Sequence, residues 1–172
     1  MTFDVRRASL ADAVALPPIE RSAAQLFRLD PPLAWLADAE VPDAAQHLQA
    51  IEQTYVWVAE KSDGQLTGFV RAVDINQQMH IEELSVSQAF QGKGIGRALV
   101  AAVIEQARAM RLDSVTLTTF RDLPWNAPFY QRMGFAELTL AQADRHLHEA
   151  LQSEILHGFP PERRCAMRLR LI

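Results

Sequence analysis

The stretch QGKGIGRALVAAVIEQARAM, Gln91 to Met110, sets three glycines and the cations Lys93 and Arg97 at the head of an uninterrupted helical pattern. Apolar Ile95, Leu99 and Val103, with Ala98 and Ala102, recur at three-to-four spacing, which makes one face of a helix. A helix N-terminus leaves several N–H groups unpaired and carries partial positive charge, so it is a natural seat for phosphate. Gly92, Gly94 and Gly96 let the backbone come close to such a group, and the two cations add countercharge. A Walker loop would need a Lys-Ser/Thr pair that this stretch lacks. A dinucleotide fingerprint, G-x-G-x-x-G, would need its third glycine where Arg97 or Leu99 stands. The pattern that fits is Q-x-x-G-x-G, met by Gln91, Gly94 and Gly96.

Upstream of this stretch lies the clearest β signal. TYVWVAE and LTGFVRAVD are strand-like runs separated by KSDGQ, whose Asp-Gly is a hairpin turn, and MHIEELSV continues the series after a turn at Asn76. An antiparallel meander is expected from Thr54 to Val86. Further back, TFDVRRA reads as a first strand. SLADAVAL reads as a helix capped by Ser9 and stopped by Pro17-Pro18, and further helices are expected over Ile19 to Phe27 and over Asp43 to Ile51, the latter capped by Asp43. The proline-rich LDPPLAWLADAEVP reads as an ordered surface loop. Downstream, DSVTLTTF is a strand, NAPFYQRM a short helix ended by Gly134, FAELTL and CAMRLRLI are alternating strands, and Asp144 to Gly158 is an amphipathic helix.

The 172 residues, 49% of them hydrophobic, suit a single domain spanning 1–172, mixed α/β with an antiparallel first half and a strand-helix-strand second half. A net charge of −4 argues against nucleic acid and leaves room for a small anionic ligand. The one cysteine, Cys165, sits in an apolar alternation and is expected to fill core, and a lone cysteine suits a reducing compartment. The charged N-terminus and the lack of any apolar run near the roughly 18 residues of a membrane span point to a soluble, cytoplasmic protein with no membrane partner.

VWVAE, GQLTGFVRA, IEELSV, QGKGIGRALV and FYQRMGF, in that order, resemble the GNAT superfamily of acetyl-coenzyme A dependent N-acetyltransferases over roughly half the chain. The resemblance implies the GNAT fold: a mixed, mostly antiparallel twisted sheet flanked by helices and splayed in the middle to admit coenzyme A. It implies acetyl-CoA as cosubstrate, with Gln91, Gly92, Lys93, Gly94, Ile95, Gly96, Arg97 and Ala98 around its pyrophosphate. Main-chain groups of Leu84, Ser85 and Val86 are implied to bind the pantetheine amides, and a backbone N–H of Val86 or its neighbour the carbonyl oxygen in the transition state.

Acetyl transfer to an amine also needs a proton acceptor, because an alkyl ammonium with a pKa of about 10 cannot attack until it is deprotonated. Alternation puts His80, Glu82 and Leu84 on one face of their strand and Ile81 and Glu83 on the other, unless a bulge intervenes. The resemblance makes Glu82 the first candidate base, with His80 its rival and Glu83 the weaker one, and it makes Tyr130 the acid for the departing thiolate. The family's usual cofactor-contacting asparagine is replaced by Leu123; Asn126 is the nearby alternative, as a cofactor contact or as a helix cap.

Acceptor choice falls to Ile19 to Ile51 and Asp144 to Pro161, which carry Phe27, Trp35, Glu20, Asp38, Glu40, Glu149 and the histidines His146, His148 and His157, with Trp125 as a further wall. Acidic groups there would attract a cationic amine. His146 and His148 face apart on a helix, so no metal is expected. The expected activity is direct acetyl transfer to a small-molecule primary amine. A protein lysine or N-terminus, and an idle acyl-CoA sensing module, are the alternatives, and a homodimer is compatible with the sequence.

Overall fold

A computed structural model describes residues 1–172. The strands are β1 Phe3–Arg7, β2 Tyr55–Lys61, β3 Leu66–Ile75, β4 Gln78–Val86, β5 Ser114–Phe120, β6 Ala136–Leu138 and β7 Arg164–Arg170. The α-helices are α1 Leu16–Ala23, α2 Ala44–Gln53, α3 Ile95–Ala109, α4 Ala127–Arg132 and α5 Arg145–Leu156. The strands form a seven-stranded sheet in the order β1-β2-β3-β4-β5-β7-β6, in which β1–β2, β2–β3, β5–β7 and β6–β7 pair antiparallel and β4–β5 pairs parallel. The chain packs as two compact units, Met1–Ala72 with Glu83–Ala102, and Val73–Glu82 with Val103–Ile172.

In the first unit, β1 runs antiparallel to β2 from Phe3↔Lys61 to Arg7↔Trp57, and β2 pairs with β3 through a register shift at Ala59/Glu60. The β2–β3 turn closes as its Asp-Gly demands: Gly64 takes φ 91° and the Asp63 carboxylate accepts the Gln65 N–H at 3.0 Å. Neighbouring residues of a strand point to opposite faces, and β3 shows what that achieves. Phe69 packs with Leu16 and Ile19 of α1 and with Val56 and Val58, whereas a Cβ at Gly68 would lie against Ile95 and Leu99 of α3. Each fully buried side chain of this kind contributes roughly 1.5–3 kcal/mol.

Three expectations about the early chain are corrected. Pro17 and Pro18 do not stop a helix; they lie in the first turn of α1, where N–H groups have no intrahelical acceptor and a proline therefore loses nothing. A 3-10 turn over Leu10–Ala15 precedes them, closed by reciprocal Ser9 and Asp12 capping and by Arg6 on both Asp12 oxygens. The helix expected over Ile19 to Phe27 changes pitch at Ala24 and continues as 3-10 to Leu29, and the proline-rich loop is a 3-10 helix over Pro31–Asp38. The cap at Asp43 holds: its carboxylate accepts the Gln46 N–H at 2.8 Å while the Gln46 side chain accepts the Asp43 N–H.

In the second unit, Asn76 and Gln77 both take positive φ, 51° and 62°, which gives a two-residue turn matching strand twist. β5 pairs with β7 from Ser114↔Arg170 to Phe120↔Arg164, and β6, shorter than FAELTL suggested, adds to β7. α5 is tied to this sheet where Glu154 accepts from Thr118 and Arg164. Gly134 ends α4 at φ 100°, and Phe135 N–H reaches back to the Tyr130 carbonyl at 3.1 Å. No helix is long and apolar enough to cross a membrane.

Candidate active site

The head of α3 presents open glycine backbone beside two exposed cations. Gly92 and Gly94 hold φ 74° and 84°, and a Cβ at either would meet nothing within 4 Å, so the ground in front of the helix is open. Gly94 carbonyl accepts the Ala98 N–H at 3.1 Å and so begins the helix. Lys93 and Arg97 are exposed, while the Ile95 side chain is 1% exposed and belongs to the core; only its main chain can face a ligand. Gln91 turns inward: its Nε2 donates to the Val86 carbonyl at 2.9 Å, which fastens the loop to the end of β4. Lys93 also lines, with Lys61, Asp63 and Phe90, an open cavity of about 690 Å³.

β4 carries the adjoining segment. The Ser85 side chain is buried and donates to Glu83 at 3.0 Å, so it too can serve a ligand only through its main chain. Gly68 explains why the strand can lie where it does: a Cβ there would stand 2.9 Å from the Ser85 carbonyl oxygen. The sequence reading missed Gly68; a glycine within a β-branched strand was the available signal.

The same unit gathers four ionisable side chains from separate elements. Glu20 of α1 and His47 of α2 approach to 3.5 Å between Oε1 and Nε2, and both atoms are buried without a hydrogen-bond partner. Burial and the nearby Glu83 push the Glu20 carboxyl up to about 8, against the pull of Arg71. Burial, helped by Arg71 and opposed by Asp43, holds His47 below its ordinary range, so its imidazole is neutral. The ring is fixed edge-on to Phe69 at 5.3 Å. Neither His47 nor its partnership with Glu20 was read from the sequence.

In the second unit, β4 begins with His80, whose Nδ1 lies 3.0 Å from the Thr116 hydroxyl; the same hydroxyl lies 3.1 Å from His146 Nε2. Burial first, and His146 second, lower His80 to about 4. Glu82, two residues on, is exposed. Tyr130 of α4 is 7% exposed and its ring sits between Phe129 and Phe135 at 5.0 and 5.7 Å. Asn126 occupies the cap position of α4 without capping it; its amide donates to the Trp125 carbonyl. Leu123 is buried and Cys165 is buried with its thiol pushed up to about 11, which makes both core residues. His148 is exposed while His146 is buried, and no group of three or more His, Cys, Asp or Glu is arranged to hold a metal ion.

The β4–β5 register runs only from Gln78↔Ser114 to His80↔Thr116, while β4 itself continues to Val86. Leu84, Ser85 and Val86 lie outside that ladder and lead straight into the glycine loop.

Comparison with known proteins places the chain in a family. Residues 21–135 match the acetyltransferase (GNAT) family. The chain is 31% identical over 183 residues to streptothricin acetyltransferase of Streptomyces lavendulae, covering 91% of this chain and 92% of that one. It is 38% identical over 86 residues to N-acetyltransferase family 8 member 2 of Rattus norvegicus, covering 46% and 37%. Among solved structures, the paia N-acetyltransferase of Thermoplasma acidophilum, in complex with coenzyme A, superposes with TM-score 0.71 at 16% identity over 99% of each chain. The yncA protein of Salmonella typhimurium, with acetyl-CoA, gives TM-score 0.69 at 20% identity over 100% and 95%. The chain belongs to the GNAT family of acetyl-CoA dependent N-acetyltransferases.

Proposed function

We propose that the protein transfers the acetyl group of acetyl-CoA to a primary amine of a small molecule by direct attack. The observation that carries this is the departure of β4 from its β5 ladder after His80, followed at once by a glycine loop and helix N-terminus open to an anion. An extended amide-bearing arm adds to exposed strand backbone as another strand would, and a diphosphate suits unpaired N–H groups flanked by Lys93 and Arg97. The main chain of Leu84, Ser85 and Val86 holds the arm, and Gln91 to Ala98 hold the diphosphate. Asn126, whose amide donates to the Trp125 carbonyl, is the side-chain candidate for a further contact to the arm. A small-molecule acceptor is supported by the full-length likeness to an enzyme named for streptothricin.

In the reaction the amine nitrogen forms the C–N bond, the C–S bond breaks, one proton leaves the nitrogen and one joins the sulfur. Glu82, exposed on β4, takes the first proton directly or through water. His80 keeps a lone pair at every physiological pH but little basicity, so it is the poorer base. Tyr130 gives the second proton; a phenol of pKa about 10 is well matched to a thiolate. Calorimetry with acetyl-CoA, followed by thiol release over a panel of amines and peptides, tests the reading. Expected are saturable binding lost in Gly94→Glu, turnover of a small amine, and in Tyr130→Phe a kcat lowered roughly 10²-fold with acetyl-CoA affinity kept. Absence of binding overturns the cosubstrate seat; turnover of peptides alone overturns the acceptor class.

A further inference from the structure

We propose that Glu20, flanked by His47 and Glu83, seats a second ammonium group of the acceptor, one that does not react, so that diamines are preferred to monoamines. This inference rests on the acetyl-transfer reading and names its substrate class more closely.

The starting point is a pair of buried polar atoms that the fold leaves facing each other with no hydrogen bond, Glu20 Oε1 and His47 Nε2, 3.5 Å apart. The His47 side chain is 1% exposed and that of Glu20 is 14% exposed, so the pair is screened from bulk water and what exposure remains belongs to Glu20. Other buried polar groups of the same unit are served: Asp12 by Arg6 and Ser9, and the Thr67 hydroxyl by the Ala59 carbonyl. A buried unsatisfied group costs roughly 1–3 kcal/mol, and more when charged. Two of them facing one another become a pair of acceptors once the proton held by Glu20 is displaced.

The donor that fits is an ammonium. It carries three N–H groups and no acceptor, and Glu20 Oε1 with the lone pair of a neutral His47 Nε2 supplies two of the required acceptors. The charge balance agrees. Glu20 faces Glu83 and Arg71 as well as His47, and His47 faces Arg71 and Asp43. Two carboxylates in one poorly solvated place favour holding a proton between them, and a cationic ligand replaces that proton.

The nitrogen held there cannot be the one acetylated, because a seat that stabilises the cation works against the neutral amine that attacks. The seat therefore belongs to another ammonium on the same molecule. Glu83 immediately precedes Leu84, the start of the segment proposed to hold the cofactor arm, which places the seat and the arm on one strand.

The test is calorimetry of the whole protein at pH 7.5 with 1,3- to 1,6-diamines and their monoamine counterparts, run in two buffers of different ionisation enthalpy. At least one diamine is expected to bind tenfold or more tighter than its monoamine and to release a proton. In Glu20→Gln the preference falls to within about twofold and that proton release disappears; Glu83→Gln provides a second variant in which both are reduced. No diamine preference, or a preference and proton release unchanged in Glu20→Gln, overturns the seat. Thiol release from acetyl-CoA, measured separately, distinguishes the two readings. Turnover with no diamine preference keeps acetyl transfer and overturns the seat, whereas Glu20-linked diamine binding without turnover keeps the seat and overturns acetyl transfer.

Discussion

His80 and His146 share one oxygen: His80 Nδ1 lies 3.0 Å and His146 Nε2 3.1 Å from the Thr116 hydroxyl, and their rings meet edge-on at 5.3 Å. A hydroxyl has a single hydrogen, so one imidazole accepts from Thr116 and the other donates to it. That requires at least one N–H and one lone pair, which two neutral rings supply in complementary tautomers. Burial lowers both histidines toward neutrality, so the trio locks the start of β4 to α5 without a formal charge.

Thr116→Val keeps the shape and removes the bridge, leaving two buried ring nitrogens without a partner. The expected loss is about 2 kcal/mol, a fall in Tm of roughly 4–8 °C for a chain of this size, with most of it restored in Thr116→Ser. Thermal denaturation at pH 7.5 checks both values.

His80 also makes stability depend on acid. Its folded pKa, about 4, lies below the ordinary 6.5 of the unfolded chain, so between these values the unfolded state binds the extra proton. The stabilisation is complete above pH 6.5 and is lost as pH falls toward 4. Denaturant midpoints measured from pH 7 to 4 should decline in the wild type and decline less steeply in His80→Gln; equal slopes would exclude His80 as a source.

What could be read from the sequence was the part written in neighbouring residues. The glycine loop and α3, the Asp-Gly hairpin, the Asp43 cap and the Gly134 stop each rest on chemistry within a few positions, and all are present. The Pro17-Pro18 error arose because the same dipeptide ends one helix or begins another, and what decides is the capping at Ser9 and Asp12 before it. Among the acidic residues named for the acceptor end, local pattern could not rank Glu20 above its neighbours. The structure ranks them: Asp38 pairs with Arg28 and Glu149 with Arg145 at the surface, while Glu20 is buried against His47. The His80–Thr116–His146 trio joins residues 36 and 30 positions apart, and nothing local in SVTLTTF marks one threonine for it.

Gly68 offers a test of how closely β4 must lie. In Gly68→Ala the new methyl would stand 2.9 Å from the Ser85 carbonyl oxygen and 3.3 Å from both Ile95 and Leu99, so the backbone of β4 must give way. Overpacking of this kind costs about 1–3 kcal/mol. If Leu84 to Val86 hold the cofactor arm, the variant also binds acetyl-CoA at least tenfold more weakly while remaining folded by circular dichroism. A variant of lower Tm and unaltered affinity would separate the strand's position from cofactor binding.

Glu20 yields the opposite sign to His80. A carboxyl raised from 4.5 to about 8 in the folded state means that the native protein holds a proton the unfolded chain has released, so stability falls as pH rises from about 4.5 toward 8. Glu20→Gln removes this penalty because the amide is neutral at every pH. At pH 5 the carboxyl is already protonated in the fold and the substitution changes Tm little; at pH 8 the variant should melt a few degrees above the wild type. Each kcal/mol is worth roughly 2–4 °C here. A variant that melts lower than the wild type at pH 8 would show that Glu20 is paired as an anion in the free protein, and that the proton said to be displaced by an ammonium is not there.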